Sequence, residues 1–174
     1  MTATKIILKQ LSTTYQVKRL KEDNVPEILE LAKTNPLYYK HNPPNPSAKT
    51  IKKDMLDLPP GSAKKDKYFI GFFDEDKLIA ILDLILHYPN PQSCFIGLFM
   101  VHKKHQKKGT GTQIIQDCLS YLEKFYSVAR LGYISTNKQS KNFWLKNGFY
   151  QTGEKYQHPK YLVEVMEKTL VHKM

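Results

Sequence analysis

Two glycines separated by one residue lie between a predicted strand and a predicted helix. Gly109 and Gly111 follow the apolar segment Ser93–Val101 and open a helical pattern over residues 109–125. The first N–H groups of a helix have no internal partner, and the helix dipole adds positive charge there. Backbone without side chains at this point predicts a seat for an anion such as a diphosphate. The charge around it comes from Lys103, Lys104, Lys107 and Lys108.

Two well-known phosphate-binding motifs do not fit this loop. A P-loop requires Lys-Ser or Lys-Thr after its last glycine, and neither glycine is followed by such a pair. A dinucleotide fingerprint requires a third glycine where this chain has Ile114. A plain glycine-rich turn with solvated lysines remains the alternative to a phosphate seat, because short glycine motifs are common.

A single acidic residue interrupts another apolar strand. Asp83 lies in "AILDLIL", where a charge is costly unless it is paired. It therefore either has a structural partner or faces a wet cleft as a substrate-side group. His87 falls on the same face of that strand and is a second candidate, with a plain histidine at a strand end as the alternative.

The elements that position these residues alternate between strands and helices. Apolar periodicity predicts the order β-α-α-β-β-β-α-β-α-β, with a further short strand at residues 150–156. Residues 35–47, which include Tyr38 and Tyr39, are predicted to be a proline-broken loop. The fold class is α/β: a mixed sheet with helices on both faces, in a single domain over residues 1–174.

Net charge, the length of the apolar segments and the cysteine count limit the classes of function that this chain can have. The chain has 27 Lys and Arg against 16 Asp and Glu, a formal charge of +11. Such a surface attracts anions, but no common nucleic-acid motif is present, so nucleic acid is not the expected partner. No segment is apolar for the length of a membrane span, and the amino-terminal apolar patch is too short and polar for a signal peptide, so a cytoplasmic protein is expected. The two cysteines are expected to be core residues, and no metal-ligand spacing occurs.

The glycine loop and a downstream segment together resemble the GNAT family of N-acetyltransferases. "QKKGTG" matches the family signature Q/R-x-x-G-x-G/A, and Val101 stands five residues before its Gln, as in the family's preceding strand. "NKQSKNFWLKNGF" is similar to the family pattern N-x-x-A-x-x-[FL]-Y-x-x-x-G-F. The order of elements is also the family's order, which implies a mostly antiparallel sheet of six to seven strands.

This resemblance implies a site for acetyl-coenzyme A and no metal. The strand end would pair with the pantetheine arm, and an N–H of Phe99 or Met100 would polarise the thioester carbonyl. Backbone amides from Lys107 to Thr112 would hold the diphosphate. The coenzyme-binding residues so implied are Phe99, Met100, Val101, Gln106, Lys107, Lys108, Gly109, Thr110, Gly111, Thr112, Asn137, Ser140 and Phe143.

The catalytic residues depart from the family pattern. Some relatives place a Glu early in the strand that here holds Phe95, so Asp83 becomes the nearest candidate for a base. Trp144 replaces the Tyr that in many relatives assists the leaving sulfur, and an indole cannot act as an acid near neutral pH. Tyr133 is a substitute if its side chain points inward.

The predicted function is transfer of acetyl from acetyl-coenzyme A to a primary amine of a small molecule or peptide, by direct attack in a ternary complex. Tyr38, Tyr39 and His87 are the predicted contacts of this acceptor, and a homodimer is left open. Two alternatives stand beside it: a GNAT-like module that binds the coenzyme without transfer, and a basic nucleic-acid-binding protein.

Overall fold

A seven-stranded sheet forms the centre of the molecule, which we describe over residues 5–171 of a computed structural model. Its order is β1-β2-β3-β4-β5-β7-β6, and only the β4–β5 pair is parallel. The predicted mixed, mostly antiparallel sheet is thereby confirmed. The strands are β1 (Gln16–Arg19), β2 (Lys67–Asp74), β3 (Lys77–Leu86), β4 (Ser93–Val101), β5 (Val128–Ile134), β6 (Tyr150–Gln157) and β7 (Leu162–Thr169).

Helices cover both faces of the first half of this sheet. On one face pack α1 (Val25–Lys33), α2 (Pro36–His41) and α3 (Ala48–Leu56), against Phe69, Ile81 and Met100. On the other face pack α4 (Thr110–Leu122) and α5 (Lys138–Lys146), against Leu82, Leu84 and Ile96. Because β3 is covered on both sides, it is apolar from Leu78 to Leu86, with Asp83 as the exception.

One prediction about local structure was wrong. Residues 35–47 are not a loop throughout, because α2 occupies Pro36–His41 and carries both Tyr38 and Tyr39. Pro36 occupies the first helical position, where a missing N–H costs nothing, and Pro43 and Pro44 come only after the helix has ended. Within residues 5–171, no helix has the length and apolar character needed to cross a membrane.

Candidate active site

Strands β4 and β5 separate halfway along β4. They pair from Ser93 to Ile96 only. The register between β3 and β4 shifts at the same point, because Leu84 lies opposite Ile96 whereas Asp83 lies opposite Leu98. Gly97 is the extra residue of this bulge, and a Cβ there would lie 2.7 Å from Asp83 Oδ2. The bulge and the loss of pairing together leave a cleft between the two strands.

The register identifies which N–H group of β4 faces this cleft. His102 N donates to Ile79 O, so this pair is hydrogen-bonded across the antiparallel ladder. Hydrogen-bonded and non-hydrogen-bonded pairs alternate, so Met100 N–H points to β3 whereas Phe99 N–H points away from it. Of the two predicted donors, the geometry selects Phe99.

The loop after β4 presents a row of free backbone donors. Among the hydrogen bonds of the described chain, none is donated by the N–H groups of residues 107–112 to a turn, loop or side-chain acceptor. Lys107 and Gly109 both have positive φ, at 61° and 81°, which folds the loop so that α4 begins directly after it. Unbonded N–H groups at the start of a helix are a suitable site for an anion such as a diphosphate.

The side chain of Gln106, the first residue of the signature, forms hydrogen bonds to other residues of the protein. Its Nε2 donates to Val101 O and to Asn35 Oδ1, both at 2.7 Å. Asn35 Nδ2 donates to the same Val101 carbonyl at 3.1 Å. The side chain of Gln106 therefore ties the loop to the end of β4 and to the α1–α2 connection, and the backbone of the loop is left to face a ligand. The sequence analysis missed Asn35, which carries no signal beyond its place before Pro36.

Four lysines carry positive charge around this loop. Lys103, Lys104, Lys107 and Lys108 are all exposed. Burial lowers the pKa of His102, and the neighbouring His105 and Lys104 lower it further, so this ring is neutral at pH 7. Its Nδ1 accepts a hydrogen bond from Lys104 N at 3.1 Å.

Helix α5 forms the wall of the cleft opposite β4. Asn137 caps this helix, because its Oδ1 accepts from Ser140 N at 3.1 Å. Phe143 stacks on Phe99 with a centroid separation of 5.8 Å. Asn137 and Ser140 therefore lie at the start of the helix that faces the predicted pantetheine path. The side-chain oxygen of Asn137 is already engaged in capping this helix.

Trp144 is packed within an aromatic cluster. It is buried, and its ring lies 6.0 Å from Phe99, 4.9 Å from Phe143 and 5.1 Å from Phe149. No residue of the described chain accepts a hydrogen bond from its indole N–H. Trp144 therefore forms part of an aromatic wall beside Phe99 of β4.

Trp144→Phe should keep most of the acetyl-transfer activity, because the phenyl ring preserves the aromatic wall. Trp144→Tyr should raise the activity at most a few-fold. A thiolate whose conjugate thiol has a pKa of about 8.5 is a tolerable leaving group even without an acid to protonate it. The measurement is the pH profile of thiol release for the three proteins, with coenzyme affinity determined separately. A loss of about a hundredfold in Trp144→Phe at unchanged affinity would instead make the indole N–H a catalytic donor.

Tyr133 points inward, but its hydroxyl is engaged elsewhere. It donates to Glu164 across the β5–β7 pair and accepts from Gln151 Nε2 at 2.7 Å. Burial raises the pKa of Tyr133 to about 12, and the Glu164 carboxylate adds to the rise. A proton held in this way is poorly placed to reach a departing sulfur, so the geometry does not favour the predicted role of Tyr133 as a leaving-group acid.

The face of α1–α3 forms the other side of the cleft. Tyr39 is buried and Tyr38 is partly buried, and both belong to the apolar cluster that contains Leu98 and Met100 of β4. Tyr38 OH accepts from Asn42 Nδ2 at 3.0 Å. Burial raises the pKa of Tyr38 to about 12, so its hydroxyl stays protonated at neutral pH. The predicted acceptor wall therefore does lie beside the strand that carries Phe99.

One contact crosses the open end of the sheet. His41 Nδ1, at the end of α2, lies 2.8 Å from Thr136 Oγ1, in the loop that follows β5. Beyond this contact, the uncovered part of the same face continues as a groove. It is lined by Tyr88, Phe95, Arg130, Gly132, Tyr156, Val163 and Val165.

Asp83 forms a buried ion pair. Its Oδ2 lies 2.9 Å from Lys67 Nζ, which also donates to the carbonyl of Asp57 at 2.6 Å. Its Oδ1 is buried without a hydrogen-bond partner among the described residues. Burial raises the pKa of Asp83, and Lys67 opposes part of the rise. Of the two interpretations of Asp83, the structural partner is present, although the carboxylate also lies beside the bulge at Gly97.

His87 is not brought to the cleft. It follows the end of β3, whose Leu86 lies opposite Cys94 at the start of β4. Leu82, opposite Phe99, is five residues away, about 16 Å along the strand. The ring of His87 contacts Asp66 and Tyr126 instead, at 3.3 and 3.2 Å. The predicted substrate role is therefore replaced by that of a histidine at a strand end.

Comparison with solved structures places this architecture among acetyltransferases. An acetyltransferase from Thermus thermophilus superposes with a TM-score of 0.73 at 17% identity, over 90% of this chain and 97% of that one. An acetyltransferase from Salmonella typhimurium that modifies the N-terminal serine of a 50S ribosomal subunit protein gives 0.70 at 16%, over 92% and 98%. The PaiA N-acetyltransferase from Thermoplasma acidophilum, in complex with coenzyme A, gives 0.64 at 15%, over 90% and 99%.

Comparison of the sequence with known proteins identifies a family but no individual curated relative. No curated protein resembles the chain closely enough to count as a match. The sequence model of the acetyltransferase (GNAT) family matches residues 26–149, which include all of α1 but its first residue, the cleft strands, the glycine loop and α5. With this match over most of its length, the chain belongs to the acetyltransferase (GNAT) family.

Proposed function

We propose that the protein binds acetyl-coenzyme A in the cleft between β4 and β5 and transfers the acetyl group to a primary amine of a small molecule or peptide. The observation that carries the proposal is the combination of an unpaired β4 edge with the free N–H groups of residues 107–112. Bound there, the coenzyme supplies an activated acetyl thioester.

Each part of the cleft has a role in this proposal. The loop backbone binds the diphosphate, and the exposed lysines around it attract the remaining phosphate charge. Phe99 N–H donates to the thioester carbonyl oxygen and stabilises the negative charge that develops on it. Phe143 and Trp144 exclude water from the opposite wall. The acceptor enters from the face of Tyr38 and Tyr39, so the amine and the thioester meet in one ternary complex.

The groove beside this entrance supports an acceptor larger than a simple amine. Its lining is aromatic and aliphatic, apart from Arg130, whose guanidinium is neutralised by Glu154 at 2.6 Å and Glu167 at 2.8 Å. One structural neighbour modifies the N-terminal serine of a ribosomal protein. A peptide amino terminus is therefore an acceptor to test alongside small amines.

The test is a screen of small amines and short peptides with acetyl-coenzyme A, read as free thiol released. Thiol release that requires both partners, together with an acetylated product of the expected mass, would support the proposal. The second candidate, a coenzyme-binding module without transfer, is favoured by Trp144 at the family's Tyr position. It would show coenzyme-dependent thermal stabilisation with no thiol release for any amine.

A further inference from the structure

A half-buried carboxylate on α3 faces the predicted acceptor side. We propose that Asp54 is the base that accepts the proton of the acceptor amine, a role that rests on the acetyl transfer proposed above. Ile51, one turn earlier, is buried, and Met55 packs against the same apolar cluster, so Asp54 lies on the side of α3 that faces the sheet. Nothing in the sequence pattern distinguishes it from the neighbouring Asp57.

Asp54 differs from Asp57 in its partners. Asp57 is exposed and forms an ion pair with Lys53 at 2.7 Å. Asp54, by contrast, is in no ion pair or hydrogen bond with another side chain of residues 5–171. An unpaired carboxylate held partly out of water retains its capacity to accept a proton, which an ion-paired carboxylate loses.

The groups around Asp54 connect it to the acceptor wall and to the cleft. Ile51 and Met55, on the same side of α3, pack in one apolar cluster with Tyr38 and Tyr39. The Asp54 carboxylate adds to the rise in the pKa of both tyrosines, after the larger effect of burial. It also interacts with Asp83, which lies opposite Leu98 beside the bulge. The charged and titratable groups that face it are Tyr38 and Tyr39 of α2, Lys53 and Asp57 of α3, Lys67 of β2 and Asp83 of β3.

These surroundings give Asp54 the proton affinity that a base needs. Burial raises the pKa of Asp54 to about 6, repulsion from Asp57 and Asp83 adds to the rise, and Lys53 and Lys67 oppose it. Such a carboxyl is ionised at pH 7 and still binds a proton more tightly than an exposed one. Asp83 is engaged in its ion pair with Lys67 and is not the proton acceptor.

The proton and bond changes balance without another reactant. The acceptor ammonium gives one proton to Asp54, and the free amine attacks the thioester carbon. The new N–C bond forms and the C–S bond breaks. The second proton lost by the nitrogen reaches the departing thiolate through solvent, and Asp54 releases its own proton to solvent.

A first experiment titrates Asp54 without any acceptor. Carboxyl carbon NMR of the whole chain, with Asp54→Asn to assign the signal, should give a pKa near 6. A value below about 4.5, that of an ordinary exposed carboxyl, would overturn the proposal. Because the folded state binds this proton more tightly than the unfolded state, ionised Asp54 destabilises the fold as pH rises from about 4 to about 6. Asp54→Asn should therefore melt higher than the parent at pH 7 and no higher at about pH 4.

A second experiment measures turnover with two small probes. Methylamine is protonated at pH 7 and needs a base, whereas hydroxylamine is largely unprotonated. Hydroxylamine also cleaves thioesters unaided, so the thiol released without protein is subtracted. Asp54→Asn should then lower the release with methylamine by about a hundredfold and change that with hydroxylamine by less than about threefold. The acidic limb of the pH profile, near pH 6 in the parent, should disappear. Asp76→Asn, which removes the same charge from the exposed turn between β2 and β3, is the control and should keep the parent's rate.

The possible results distinguish a failure of the proposed role of Asp54 from a failure of the proposed acetyl transfer. A parent protein that releases thiol with both probes, together with an equally active Asp54→Asn, would overturn the role of Asp54 and leave acetyl transfer intact. A parent that binds acetyl-coenzyme A and releases no thiol with either probe or with any amine of the screen would overturn acetyl transfer, and the role of Asp54 with it.

Discussion

Asp83→Asn should lower the free energy of unfolding by about 3 kcal/mol, because it leaves the Lys67 ammonium buried without its counter-ion. The side chains of the pair are only 6% and 11% exposed, so solvent cannot replace the lost partner. Denaturant unfolding of the parent and the variant measures the difference. Coenzyme affinity should be unchanged, since the pair lies on the acceptor face of the sheet.

The control for this prediction removes both charges. Lys67→Met combined with Asp83→Leu should recover most of the lost stability, because an apolar pair of similar size needs no counter-ion. Asp83→Asn with the parent's stability but a turnover lowered tenfold or more would contradict a structural role. In that case Asp83, rather than Asp54, would be the base.

Gly111→Val should weaken coenzyme binding by more than about tenfold, the effect of a loss of roughly 1.4 kcal/mol or more. A Cβ at this position would lie 3.3 Å from Phe143 Cε2 and 3.5 Å from Val101 Cγ2. The branches of Val would displace Phe143 from its stack on Phe99 and move α4 away from the end of β4. The substituent would therefore point into the cleft wall, although the two glycines by themselves predict that it would fill the diphosphate seat.

Gly111→Ala is the matched control. Its single methyl group requires Phe143 to shift by only a few tenths of an ångström, so affinity should stay within about threefold of the parent. Calorimetric titration with coenzyme A gives the affinities, and denaturant unfolding without ligand shows whether each variant is folded. Equal affinity in the parent and in Gly111→Val would make the assignment of this loop to the coenzyme wrong.

Much of the fold followed from local pattern. The strand Ser93–Val101 was predicted with the bounds that the structure has, and α4 begins one residue from its predicted start. These segments are long and periodic, and a buried strand and an amphipathic helix each have a distinctive arrangement of apolar residues. The family resemblance rested on the two glycines and on the spacing of Asn137 to Phe149, and the family match over residues 26–149 confirmed both it and the predicted enzyme class.

The sequence by itself therefore determined the family, the order of the strands and of every helix except α2, and the position of the glycine loop. Only the tertiary structure decided which side chains meet. Lys67 forms an ion pair with Asp83 on the neighbouring strand, Glu164 accepts a hydrogen bond from the Tyr133 hydroxyl, and α3 packs in one apolar cluster with Tyr38 and Tyr39. The reason is that strand register, the bulge at Gly97 and the packing of α3 on the sheet bring distant segments together, and no local periodicity specifies these contacts.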